Sequence, residues 1–399
     1  MSHPPLVQQT MHTAMPGDVP PVPTGESTAP TAQSLGQGAA GIALAWVQYA
    51  SRNPAYWATA HRWIQATTAR PISTGTAAGL YAGAPAVTFL LHMADRAFPG
   101  RYRRHLNELL PHVTKSAHRR VDDGLTRIAQ QRPTCFGEYD LITGLTGLGR
   151  LLLSCRPFDT ALERILSFLV ALTQPIRLDG RWMPGWWVDH DPDPTLPTPG
   201  GHANNGIAHG ITGPLALLSL AYQIGVRVDG HDTAIDRITA HLRKTACHDA
   251  DGTWWPHWTS DKNTIPHSHP PRPSWCYGSP GIARALQLAG IARSDIALKR
   301  WSESVLIASL SHERYTHQLR DVGICHGWAG AYLTAVHAAK DSASPRLQQL
   351  TADLAQQFAK AQTTREHSLL TGAAGAALAR LHHDTTTPTL GWEACLLLI

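Results

Sequence analysis

The sequence predicts an all-α protein built from a repeated pair of helices, and three observations carry that prediction. The first is a recurring Gly-x-x-Gly step. Intact copies stand at Gly38–Gly41, Gly144–Gly147, Gly210–Gly213, Gly278–Gly281, Gly327–Gly330 and Gly372–Gly375, and a degenerate copy, GAPA, at Gly83–Ala86. The second is an Ala- and Leu-rich run after each step, such as LGRLLLSC or LALLSLAYQ, apolar at three- and four-residue intervals. The third is the distance between first glycines. It runs 45, 61, 66, 68, 49 and 45 residues, each interval long enough for two helices and their loops. Seven such units predict a closed or stacked helical array. Their unequal spacing favours a ring with decorated loops over a solenoid of identical repeats.

The glycines need a reason, because they cost helix propensity. A positive φ at the first and a crowded face at the second would supply it. One such string among 33 glycines would mean nothing, but six intact ones before helical runs do not arise from composition. None reads as a phosphate loop, since no strand pattern precedes it and no GKS or GKT comes after it.

Along the chain, residues 1–33 are rich in Pro, Thr and Ser and predict a disordered arm. Ordered structure is expected from about Leu35, as one domain over residues 34–399. Residues 101–134 read as helical. Residues 182–205 and 251–275 are rich in Pro, Asp and Gly and read as long irregular loops, each ending at a glycine step. Such loops on a helical frame form a functional rim.

Composition narrows the function. With 399 residues and 43% hydrophobic content the chain can bury a large core. Its net charge of +5, from 34 basic and 29 acidic residues, reads as a small, scattered excess. No basic stripe for nucleic acid is read from it. The 13 tryptophans and 23 histidines suit a cleft for an organic or peptide ligand. Cys135, Cys155, Cys247, Cys276, Cys325 and Cys395 lie far apart, unlike a disulfide scaffold, and are expected as free thiols in a cytoplasmic protein. No signal peptide or membrane span is recognised, and the apolar run at residues 216–224 is too short for one.

The chemistry-bearing residues sit at matching stations. Cys276 and Cys325 each lie two residues before a first glycine, and His326 lies one before. His209 is one residue before Gly210, Asp140 four before Gly144, and Arg272 four before Cys276. In a ring of such units these groups converge on one end of a central cavity. Two thiolates and an imidazole suit zinc and leave a fourth position open, the pattern of a catalytic site. Taken singly, each cysteine reads as a small buried hydrophobe. His209 alone is equally a packed or a catalytic histidine, Asp140 a helix cap, and Arg272 an ordinary loop arginine. The other four cysteines read as structural. His267 and His269 read as surface-loop residues before they read as fourth ligands. Trp254, Trp255 and Trp258 read as loop anchors or groove walls.

The segments NNGIAHGITGPLALL, RPSWCYGSPGIARAL and ICHGWAGAYL resemble the lanthionine synthetase C-like proteins, the lantibiotic cyclases. CFGEYDLITGLTGLGRLLL and the terminal GWEACLLLI extend the resemblance, which spans residue 35 to the end. It implies an α/α toroid of seven inner and seven outer helices. It implies one zinc ion per chain held by Cys276, Cys325 and His326, with His209 for acid–base work, Asp140 beside it and Arg272 in the site. The implied reaction is intramolecular Michael-type addition of a cysteine thiol to dehydroalanine or dehydrobutyrine in a dehydrated precursor peptide, which forms a thioether ring. A separate dehydratase is an implied partner, with a transporter and peripheral attachment to a membrane-bound complex left open. Addition of a small thiol such as glutathione, and a zinc-binding scaffold without catalysis, are the alternatives. A glycosidase would need two carboxylates flanking the bond, and the helix-start stations offer no such pair.

Overall fold

The computed structural model describes residues 32–192, 195, 197–260, 269–362, 364–383 and 388–399. The expected arm, apart from its last two residues, and His267 lie outside the described residues.

The chain is mostly helical, as the glycine periodicity predicts. Among the described residues seven helices begin at the seven glycine steps: α1 (Ala39–Arg52), α3 (Gly83–Ala97), α5 (Leu145–Cys155), α7 (Thr212–Gln223), α9 (Ser279–Ala292), α11 (Trp328–Lys340) and α13 (Ala373–Arg380). Six more alternate with them: α2 (Trp57–Thr68), α4 (Arg103–Ala129), α6 (Thr160–Leu172), α8 (His231–Thr245), α10 (Ile296–Ser311) and α12 (Pro345–Lys360). The two sets differ as their sequences require. In α1 every residue from Ala40 to Ala50 is buried, and in α9 every residue from Ser279 to Gly290. α8 buries only His231, Ala234, Ile235, Ile238, Thr239 and Leu242, a single stripe at helical spacing. Residues 101–134 form no β insertion; α4 fills most of that stretch.

The glycine steps have one physical cause, and it corrects half of the expectation. The residue before helix α1, α5, α9 or α13 is the first glycine, with φ of −114°, −88°, −82° and −114°, so no left-handed backbone is needed. Among the seven first glycines only Gly83, in the degenerate copy, has a positive φ, +67°. Close approach is the reason instead. A Cβ on Gly144, Gly278 or Gly372 would lie 2.1–2.3 Å from the backbone N of the residue four positions earlier. A Cβ on Gly41, Gly281 or Gly375 would lie 1.9–2.2 Å from the carbonyl oxygen six positions earlier. The chain folds back on itself before these helices, and the glycines named leave room for that backbone.

The residues fall into two compact units. Unit 1 is Met1–Val113, Leu319–Val336 and Thr351–Trp392; unit 2 is Thr114–Gln318, His337–Leu350 and Glu393–Ile399. Within unit 2, consecutive lead-in turns are tied by backbone hydrogen bonds, from Leu141 N–H to Ala208 O (3.1 Å) and from Ile207 N–H to Cys276 O (2.9 Å). Within unit 1 the same kind of bond runs from Cys325 N–H to Leu370 O (2.8 Å), from Leu369 N–H to Gly36 O (3.0 Å) and from Leu35 N–H to Tyr81 O (3.0 Å). The last lead-in turn of the chain is therefore bonded to the first.

The two long loops are more regular than expected. Among the described residues, three antiparallel two-stranded ribbons, all in unit 2, lie in or beside them. β1 (Ile176–Leu178) pairs with β2 (Arg181–Met183), and β4 (Cys247–Asp249) with β5 (Gly252–Trp254). β3 (His202–Asn204) pairs with β6 (Trp258–Ser260), which joins one loop to the other. Isolated bridges from Thr134 to Val188 and from Val188 to His202 extend that layer to the stretch before Asp140. Trp254, Trp255 and Trp258 are buried, and Trp255 Nε1–H donates to Leu242 O (2.6 Å), so they anchor the loop.

Candidate metal centre and acid–base pair

A side chain often caps the lead-in turn. Ser34 Oγ accepts from Gln37 N–H, Ser274 Oγ from Tyr277 and Gly278 N–H, and Ser368 Oγ from Thr371 N–H. Each serine stands four residues before its first glycine, and Asp140 stands at the same station before Gly144. Its Oδ1 accepts from Thr143 N–H and Gly144 N–H, both at 2.7 Å. A serine has one oxygen and spends it on the turn. Asp140 has a second, and Oδ2 lies 2.6 Å from His209 Nδ1. The carboxylate is fully buried, while the imidazole is one-third exposed. A carboxylate only accepts, so Nδ1 carries the proton of this bond and neutral His209 presents a lone pair at Nε2. Asp140 is thus a turn cap, as read singly, and also the partner of His209.

His209 is held from further sides. Phe136 stacks on its ring at 5.4 Å between centroids, and Tyr277 lies at 6.1 Å. Phe136 in turn meets the rings of His190 (4.6 Å) and His202 (5.6 Å), and its N–H donates to His190 Nε2. Behind Asp140, the guanidinium of Arg120 donates to the carbonyls of Gly137 and Thr143. Burial pushes its pKa down, and the charge of Asp140 opposes that shift. Sequence reasoning misses Phe136, Tyr277 and Arg120. HRRVDD looks like a solvated charge run, and nothing local says that Arg120 alone turns inward.

Cys276 is buried and sits on the turn that accepts the backbone of Ile207 and Ala208, which brings a proposed ligand next to the His209 loop. Arg272 is half-buried four residues earlier, and its carbonyl accepts from Ser274 N–H. Cys325 and His326 are half-buried on the turn before α11. That turn uses a different cap: Asp321 Oδ1 accepts from Gly323 N–H (2.9 Å). Asn204 does the same for Gly206 N–H six residues before Gly210. Asp321 again serves twice, since its Oδ2 lies 3.6 Å from His326 Nε2. A carboxylate beside a ligating imidazole is the usual outer partner of such a ring.

Two groups among the described residues could hold a metal ion. In one, Cys276, Cys325 and His326 each offer a ligand atom, all within 4.8 Å of one another. In the other, His337, His382 and Glu393 do so, all buried. The first donor set fits zinc by its chemistry: two soft thiolates and one borderline imidazole, partly open to solvent. His269, the one described histidine of the pair considered as extra ligands, is exposed. Cys395 is fully buried, as expected of a structural cysteine, but Cys135 is exposed. No helix among the described residues is long and apolar enough to cross a membrane.

Known proteins share this sequence pattern and this fold. Residues 29–397 match the family described as "Lanthionine synthetase C-like protein". The chain is 22% identical over 264 residues to "Nisin biosynthesis protein NisC" of Lactococcus lactis subsp. lactis, a match covering 63% of this chain and 60% of that protein. It therefore spans less than two thirds of that relative's length. A solved structure titled "Nisin cyclase" has the same fold, with a TM-score of 0.78, 19% identity and 92% of each chain covered.

Proposed function

The chain belongs to the lanthionine synthetase C-like family, and from that premise we propose that it is a zinc-dependent lanthipeptide cyclase. On this reading residues 34–399 form one α/α toroid of seven inner and seven outer helices. The observation that carries the proposal is the set of three donors, Cys276, Cys325 and His326, within 4.8 Å of one another. His209, beside Cys276 through the bonded turns, supplies a proton-transfer group.

The substrate is a dehydrated precursor peptide bearing a cysteine and a dehydroalanine or dehydrobutyrine. Zinc held by the three donors would lower the pKa of the peptide thiol and so supply thiolate at neutral pH. His209, with Nδ1–H on Asp140 and Nε2 open, accepts the thiol proton or delivers a proton to the α-carbon after the sulfur has bonded to the β-carbon. Its Asp140 partner fixes the tautomer and offsets the charge when the ring is protonated. Arg272 stabilises the negative charge that develops on the amide oxygen. No atom is gained or lost: the S–H bond and the π bond between the α- and β-carbons are given up, and one S–C bond at the β-carbon and one C–H bond at the α-carbon form. Two thiolate ligands leave a less Lewis-acidic ion than three imidazoles would, which favours sulfur delivery over hydrolysis. A separate dehydratase makes the substrate, and the reaction takes place in the cytoplasm.

The test is to incubate purified protein with a dehydrated precursor peptide. Thioether rings should form with no change of mass and with loss of alkylatable thiol. Rings that form as fast without the protein, or with His209→Ala and Cys325→Ala, would sink the proposal.

A further inference from the structure

The positive charge of this protein is not scattered. Residues 52–113 hold seven arginines and two acids, a net of +5, and the 27 basic and 27 acidic residues elsewhere cancel. Four of the seven fall between residues 96 and 104, a run that the reading of a scattered excess overlooks. In unit 1 Arg101 lies over Trp57 of α2, and Arg103 and Arg104 open α4. Arg62, Arg96, Arg101, Arg103 and Arg104 are all exposed. Both acids of the segment are engaged locally: Asp95 Oδ1 accepts from Tyr102 N–H (3.0 Å), and Glu108 pairs with Arg104 (3.0 Å).

Beside the arginines lies an aromatic shelf. Trp57 is half-exposed, with Phe98 at 4.3 Å, His61 at 5.8 Å and Tyr102 at 6.1 Å between ring centroids. The His61 ring and the Tyr102 hydroxyl share a 2.8 Å hydrogen bond that fixes both. The guanidinium of Arg101 lies 4.7 Å over Trp57 and 5.6 Å from the Phe98 centroid. Stacking holds that charge in place while its edge still faces solvent.

We infer that this face of α2 and α4 docks an acidic stretch of a peptide, with the Trp57–Phe98 shelf taking an apolar side chain next to the acids. The inference rests on the peptide-substrate reading and adds a second contact, apart from the reacting residues. Charge complementarity selects the occupant. Four arginines lie within nine residues, 96 to 104, and all four are exposed. An extended peptide carries one residue per roughly 3.3 Å, so a few consecutive acids match them. Duplex DNA presents charge continuously along its axis and calls for a longer basic track. Guanidinium groups pair carboxylates two bonds at a time, and such a patch speeds encounter at low salt.

The test uses the full chain and a fluorescein-labelled peptide containing Glu, Asp and Leu but no cysteine or dehydro residue. Fluorescence anisotropy is read with and without a zinc chelator, so the result does not depend on the cyclase reading. Binding should be at least tenfold tighter than that of the same peptide with Gln and Asn for its acids, and should weaken severalfold between 50 and 300 mM salt. Arg101→Glu/Arg103→Glu/Arg104→Glu should lose at least tenfold. Arg96→Glu/Arg103→Glu, which keeps the Arg101 stack and the Arg104–Glu108 pair, should also lose severalfold with an unchanged melting temperature. The inference is overturned if acidic and neutral peptides bind alike, or if both variants bind as wild type. It is also overturned if a 20-base-pair duplex binds more tightly than the acidic peptide through the same arginines.

Discussion

One carboxylate oxygen of Asp140 caps the turn before α5, and the other holds His209 Nδ1 at 2.6 Å. The two jobs can be separated by substitution. Asp140→Ser restores the cap used by Ser34, Ser274 and Ser368 but removes the partner of His209. Asp140→Asn keeps an oxygen for the turn and turns an amide N–H toward Nδ1, which favours the opposite tautomer. Both variants should fold with a melting temperature within a few degrees of wild type and lose about 10²–10⁴-fold in cyclisation rate. Asp140→Ala should lose the cap as well, at a cost of about 0.5–2 kcal/mol in urea unfolding. A fully active Asp140→Ser would show that the histidine does not need its partner.

Metal content gives an independent check. We expect close to one zinc per chain by plasma mass spectrometry, falling below about a tenth in Cys276→Ala and in Cys325→Ala. His337→Ala removes one member of the buried His–His–Glu group and should leave the count unchanged. A count near two that His337→Ala lowers to one would put an ion in that buried group as well. Asp321→Ala, which strips the carboxylate near His326 Nε2, should weaken zinc affinity about 10–100-fold in a chelator competition.

Much of the fold and of the candidate site is legible in the sequence, for a physical reason. The glycine steps answer to backbone crowding, so the repeat prints itself on the chain and places seven of the helix starts. Cys276, Cys325, His326, His209 and Asp140 stand out because they occupy fixed stations relative to those glycines. The features that sequence does not reveal have no fixed station. Arg120 reaches the Asp140 turn from the middle of α4, Phe136 meets three histidines through the tertiary fold, and the β ribbons form by pairing between distant loops. Asp321 does carry a signal: Asp321–Gly323–Gly327 repeats the spacing of Asn204–Gly206–Gly210.

The crowding account predicts unequal costs for glycine replacements of the same chemistry. A Cβ at Gly281 would lie 2.0 Å from Trp275 O, a backbone atom that cannot step aside alone. Gly281→Ala should therefore cost about 2–4 kcal/mol. Because Trp275 adjoins Cys276, the same change should lower zinc content. A Cβ at Gly137 would meet nothing closer than Thr143 Oγ1 at 3.8 Å, and Gly137→Ala should change stability by less than about 1 kcal/mol. Urea unfolding at matched m-value decides it, and equal costs would remove close approach as the reason for the motif.

Acid should destabilise the fold through buried imidazoles. His202 is fully buried, and burial, with His190 nearby, holds its pKa down to about 4 from 6.5. Burial likewise takes His241 to about 4, with Lys244 adding to the shift. The folded chain thus keeps both rings neutral where the unfolded chain protonates them. Their contribution is complete above about pH 6.5, is lost as pH falls from there toward 4, and is level below that. The loss should amount to roughly 1–3 kcal/mol per ring. Urea unfolding at pH 7.5 and pH 5, with chelator present throughout so that metal release is common to all samples, measures it. His202→Gln should shrink the difference between the two pH values by about that amount. A variant with the full wild-type loss would show that His202 takes up its proton in the folded state too.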